Sequence, residues 1–76
     1  MLDLNTLAEN IRHLRKEELH ETQEEFAEHI ETSIDTVSNI ERARFLPKVE
    51  TLVKIANYSG KSIDALLGSP RLGGPK

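Results

Sequence analysis

The 76 residues contain no cysteine, which excludes a disulfide framework and a thiolate zinc site and fits a reducing, cytoplasmic setting. No apolar run approaches the roughly 20 residues of a membrane span, and no charged-then-apolar leader opens the chain. A glycine-rich phosphate loop, a nucleophile elbow and an HExxH pair are all missing, so His13, His20 and His29 have no catalytic company. Glu25 and His29 stand at i, i+4, a spacing that a metal can use, but the outer face of a solvated helix explains it better. We expect no enzyme, no metal and no other cofactor.

Positive charge is also in short supply. Ten Lys and Arg face thirteen Asp and Glu, a net charge of −3, which argues against a general nucleic-acid binder because nonspecific affinity comes largely from phosphate neutralisation. The distribution is uneven. Nine acidic residues and no Lys or Arg lie between Glu17 and Glu41, whereas Arg42, Arg44, Lys48 and Lys54 follow with Glu50 alone against them. The length makes one small domain, of a size that buries only about 60% of its unfolded surface, so pairing of two copies would help it.

What the chain does have is centred on Thr22 to Glu41. Thr22 with Glu25 three residues on spells a capping box, and Phe26, Ala27 and Ile30 fall on one stripe of a short helix. Ser33 is a second N-cap, after which Val37 and Ile40 at i, i+3 predict another helix, apolar beneath and polar on top. Ala27 is small where two helices must cross closely.

Upstream, Leu4, Leu7, Ala8, Ile11 and Leu14 predict a first helix, capped by Asp3 or Asn5 and ending among Arg12, Arg15 and Lys16, where cations suit the helix dipole. Leu19 is expected to plug the core. Downstream, Phe45 and Leu46 are expected core pegs, and Pro47 halts any helix. Val49, Leu52, Val53 and Ala56, with Ile55 alongside, predict a fourth helix stopped by Gly60; Ser62 caps a short fifth, IDALL, closed by Gly68. The fold class is therefore all-α, with one five-helix domain over residues 1–68. Residues 69–76, SPRLGGPK, are expected to form a flexible tail.

Three segments in order, TQEEFA, SIDTVSNIE and PKVETLVKIA, resemble the phage lambda repressor and Cro family, the xenobiotic-response-element (XRE) type of regulator, over about residues 7–67. The resemblance implies a compact lambda-repressor-like domain in which the second and third helices form a helix-turn-helix, with the third helix in the major groove of double-stranded DNA. It implies a small dimeric repressor, cytoplasmic and bacterial or phage-encoded, that occupies an operator. It also implies an ion pair between Arg15 and Glu41, joining the first and third helices.

Carried over position by position, the resemblance sets Gln23, Ser33 and Thr36 against the DNA backbone and Ile34, Asp35, Ser38 and Asn39 against base edges. Ile34 suits a thymine methyl, Asp35 a cytosine amino group and Asn39 an adenine edge. Arg42, Arg44 and Lys48 are left to supply the attraction to phosphate. The same likeness makes Tyr58, Leu66 and Leu67 candidates for a homodimer seam, with a core place the stronger reading for Leu66, and sets half-sites roughly 34 Å apart. Two departures stand out. The stretch between Leu14 and Thr22 is about one residue longer than in relatives and lacks their Gly. Ala43 replaces another Gly, so either Ala43 adopts positive φ or the third helix ends differently. The competing reading is a protein-interaction module on the same fold, an antitoxin or a regulator's partner, that uses the acidic face.

Overall fold

Asp3 opens the first helix by accepting from the Asn5 amide at 2.9 Å, and the chain then runs through α1 (Leu4–His13), a π-helical turn (Leu14–Glu18), α2 (Gln23–His29), α3 (Ile34–Glu41), α4 (Val49–Ser59) and α5 (Ile63–Leu67). The computed structural model describes residues 3–68, and all regular structure among them is helical. The expected tail, 69–76, lies outside the described residues.

The core is one cluster. Leu7, Ile11 and Leu14 from α1 and the π turn meet Phe26, Ala27 and Ile30 from α2, Val37 and Ile40 from α3, Leu52 and Ile55 from α4, and Leu66 from α5. Phe26 is wholly buried, and burying a side chain of that size stabilises by about 1.5 to 3 kcal/mol. Leu19 is half-buried against the same cluster.

The stretch before Thr22, expected from the resemblance to be about one residue longer than usual, holds the π turn. Leu19 N–H bonds to Leu14 C=O at 2.9 Å, one residue wider than an α-helical bond, and His20 then takes φ +55. This widening keeps Leu14 and Arg15 both facing inward, the first into the core and the second toward α3.

The two helices of the corner end alike. In α2, Thr32 N–H reaches Ala27 C=O and Glu31 N–H reaches Glu28 C=O; in α3, Arg44 N–H reaches Asn39 C=O and Ala43 N–H reaches Ile40 C=O. Each is a Schellman ending with its left-handed residue supplied by Glu31 (φ +61) or Ala43 (φ +59), not by Gly. Ala43 thus resolves the alternative left open by the sequence: it adopts positive φ.

The expected pegs Phe45 and Leu46 are not core residues, being 42% and 49% exposed. The left-handed turn at Ala43 sends the chain outward, and Pro47 takes the buried place instead. In α4 the buried line is Leu52 and Ile55, while Val49 is 73% exposed and Val53 also faces solvent. The helix therefore packs on a line rotated away from the Val49–Val53 row.

Candidate nucleic-acid interface

The helix-turn-helix corner is locked from beneath by a buried charge. Arg15 Nε donates to Glu41 Oε2 at 2.6 Å and Arg15 Nη2 to Glu41 Oε1 at 3.0 Å, while Arg15 Nη1 donates to the Glu21 carbonyl at 2.8 Å. Both side chains are nearly inaccessible. One guanidinium thereby ties the π turn, the entry to α2 and the end of α3. Arg12 Nη1 adds a long contact of 3.5 Å to the Glu41 carbonyl.

Gln23 joins this lock. Its Nε2 donates to Glu41 Oε1 at 3.0 Å, and the amide must present nitrogen rather than oxygen there because an ionised carboxylate only accepts. The same nitrogen keeps a second N–H for another acceptor. At the entry to α2 the capping box is complete, with Glu25 N–H donating to Thr22 Oγ1 at 3.0 Å and Thr22 N–H to Glu25 Oε1 at 2.9 Å.

On α3, Val37, Ile40 and Glu41 face inward. Ile34 and Asp35 are exposed, and Ser38 and Asn39 are half-buried one turn further along the same two rows. Asp35, Ser38 and Asn39 direct no side-chain hydrogen bond or ion pair at any described residue, so their polar atoms are available. Ser33 caps the helix by accepting from Thr36 N–H at 3.1 Å, and the two hydroxyls lie 3.0 Å apart, sharing one hydrogen and leaving the other free to donate.

Arg42, Arg44 and Lys48 are exposed and likewise unpaired among the described residues. The fold divides them. Lys48 shares an open groove of about 450 Å³ with Thr36, Thr32 and Leu46, so it lies on the turn side of the corner, whereas Arg42 is the C-cap of α3.

Of the three residues named for a seam, Leu66 takes the core place that was its stronger reading: it is 2% exposed and α5 presents it to α1. Leu67 is half-buried against the same core. Tyr58 is partly exposed, but its hydroxyl is engaged, donating to Glu21 Oε2 and lying 2.8 Å from His29 Nδ1. The bond to Glu21, then desolvation and the charges of Glu21 and Glu25, push the phenol up to about 12. Since the phenol gives its one proton to Glu21, His29 must carry its proton on Nδ1 to meet both oxygens. No periodicity announces this Glu21–His29–Tyr58 cluster, because its members come from a loop, α2 and α4.

Comparison with known proteins agrees with this geometry. No curated protein matches the chain. A crystal structure described as the hypothetical transcription factor NHTF from Neisseria superposes with a TM-score of 0.80 at 26% identity, covering 93% of this chain and 86% of that one. The helix-turn-helix family model matches residues 11–66, from within α1 to α5 and including the whole corner. The chain belongs to the XRE-type helix-turn-helix family.

Proposed function

We propose that the chain is a sequence-specific DNA-binding transcriptional regulator, a small dimeric repressor that covers an operator with α3 in the major groove. The observation that carries this reading is the outward face of α3. Asp35, Ser38 and Asn39 have no side-chain partner among the described residues, on a helix whose inner face is clamped by Arg15 and Glu41, so a rigid helix offers hydrogen-bonding groups outward.

In this reading Ile34 packs on a thymine methyl, Asp35 accepts from a cytosine amino group and Asn39 pairs with an adenine edge. Gln23 gives its second N–H to a phosphate, and Ser33 or Thr36 donates its free hydroxyl proton to the same strand. Arg42, Arg44 and Lys48 neutralise phosphates around the reading helix, against an acidic chain that binds nonspecific DNA weakly. Blocking a promoter is the regulatory act, carried out in the cytoplasm of a bacterium or its phage.

The test is fluorescence anisotropy on the duplex upstream of the protein's own gene against a shuffled duplex, across a range of salt. Preference for the native duplex, with a salt slope implying about 4 to 8 phosphates per dimer, is expected. Equal affinity for both duplexes, or no binding at low salt, overturns it and turns attention to a protein partner at the acidic face.

A further inference from the structure

Among the residues of α3, Ile34 is the one large apolar side chain left in solvent, 47% exposed at the first helical position after the Ser33 cap. Val37 and Ile40 fill the inner face, so the core makes no use of it. A lone exposed isoleucine on an ordinary helix needs no explanation, but this one stands at the end of α3 whose first residues, in the reading above, meet base edges. On the major-groove edge of DNA the apolar feature is the C5-methyl group of thymine. Ile34 therefore reads a methyl group, and a hydrocarbon side chain does not sense which pyrimidine carries it.

We propose that Ile34 makes the chain a reader of C5-methylated pyrimidines, accepting 5-methylcytosine as well as thymine, so that cytosine methylation at this position raises its affinity for DNA. The proposal rests on the DNA-binding reading above and names the chemical class that α3 selects. Its support is the division of labour along the helix. Residues four apart share a face, so Ile34 lines up with Ser38, and Asp35 with Asn39. An ionised Asp35 only accepts, and so separates the N4 amino group of cytosine from the O4 of thymine. Ser38, next in the Ile34 row, has a hydroxyl that both donates and accepts, so it sets no preference between those two groups. That row thus pairs an apolar contact with no polar discriminator. 5-Methylcytosine carries its methyl on the same ring carbon as thymine, and the two pyrimidines occupy the same place in their base pairs.

The test changes one methyl group at a time on the DNA. A duplex is enriched by the full chain from a random library, and each thymine in it is replaced in turn by uracil, by cytosine paired with guanine, and by 5-methylcytosine paired with guanine. Fluorescence anisotropy gives the affinities. At the thymine under Ile34, uracil is expected to bind about three- to tenfold more weakly than thymine, and cytosine more weakly than 5-methylcytosine by the same factor, the worth of burying one methyl group. Ile34→Ala, at an exposed position outside the core and checked by a melt, is expected to bring both ratios to about one. Overturning results are a duplex on which 5-methylcytosine binds no more tightly than cytosine at every position, and an Ile34→Ala chain that keeps both ratios. If no duplex is enriched or bound at low salt, the DNA reading falls and takes this proposal with it, whereas a bound duplex without a methyl effect defeats the proposal alone.

Discussion

Arg15 holds both carboxylate oxygens of Glu41, at 2.6 and 3.0 Å, from an element separated from α2 by four residues. Two parallel charge-assisted bonds fix direction as well as distance, so they hold the end of α3 in orientation against the π turn. Arg15→Ala strands the Glu41 charge in the core and is expected to cost about 3 to 5 kcal/mol, enough to unfold much of a domain this small. Thermal and urea melts check it; Arg15→Lys is expected to recover only part, because an ammonium does not match the two-oxygen grip.

Glu31 and Ala43 adopt positive φ at the ends of α2 and α3. A left-handed L-residue costs roughly 1 to 2 kcal/mol, and Gly removes that cost while giving back part of it as unfolded-state entropy. Glu31→Gly and Ala43→Gly are each expected to stabilise by about 0.5 to 1 kcal/mol. Gly60→Ala is expected to lose about 1 kcal/mol, at φ +77 with open space around the new methyl, so that conformation alone is responsible. Chemical denaturation of the three variants reads the signs directly.

The Tyr58 phenol is pushed from 10.0 up to about 12, mainly by the hydrogen bond to Glu21. A group whose folded pKa is raised contributes stability that is fully present below the unfolded value and is lost as pH climbs through the folded one. Stability is therefore expected to fall between about pH 10 and 12, with the unfolded chain shedding the proton that the folded one keeps. Phenolate absorbance should rise near the upper end of that window in the wild type, and near its lower end in Glu21→Gln.

Within the DNA reading, base and backbone contacts separate by their response to salt. Asn39→Ala is expected to cost about 1 to 3 kcal/mol on the native duplex and to relax its sequence preference, with the salt slope unchanged. Lys48→Ala is expected to weaken all duplexes alike and to lower the slope by about 1. Gln23→Ala is expected to lose affinity without loss of fold, because Arg15 still satisfies Glu41. Anisotropy titrations at several salt concentrations, with a melt of each variant, distinguish these outcomes.

By itself the sequence determined what depends on local spacing. Thr22 with Glu25, and Ser33 ahead of Val37, set two helix starts through caps that close within four residues, and both caps are present. The stripes Leu7, Ala8, Ile11, Leu14 and Phe26, Ala27, Ile30 named the inward faces of α1 and α2, because a helix repeats its faces every three or four residues. The resemblance led one to expect Gly near the end of α3, but whether Ala43 would adopt positive φ or the helix would end differently was not legible.

Only the tertiary structure decided how those elements share space. It set a π turn ahead of Thr22, brought Gln23 onto the Arg15–Glu41 pair, and gathered Glu21, His29 and Tyr58 from separate elements. It also turned Phe45 and Leu46 outward, against expectation. Hydrophobicity says that a side chain favours burial, whereas the rotation of α4 and the left-handed exit at Ala43 set which side chains the finite core has room for.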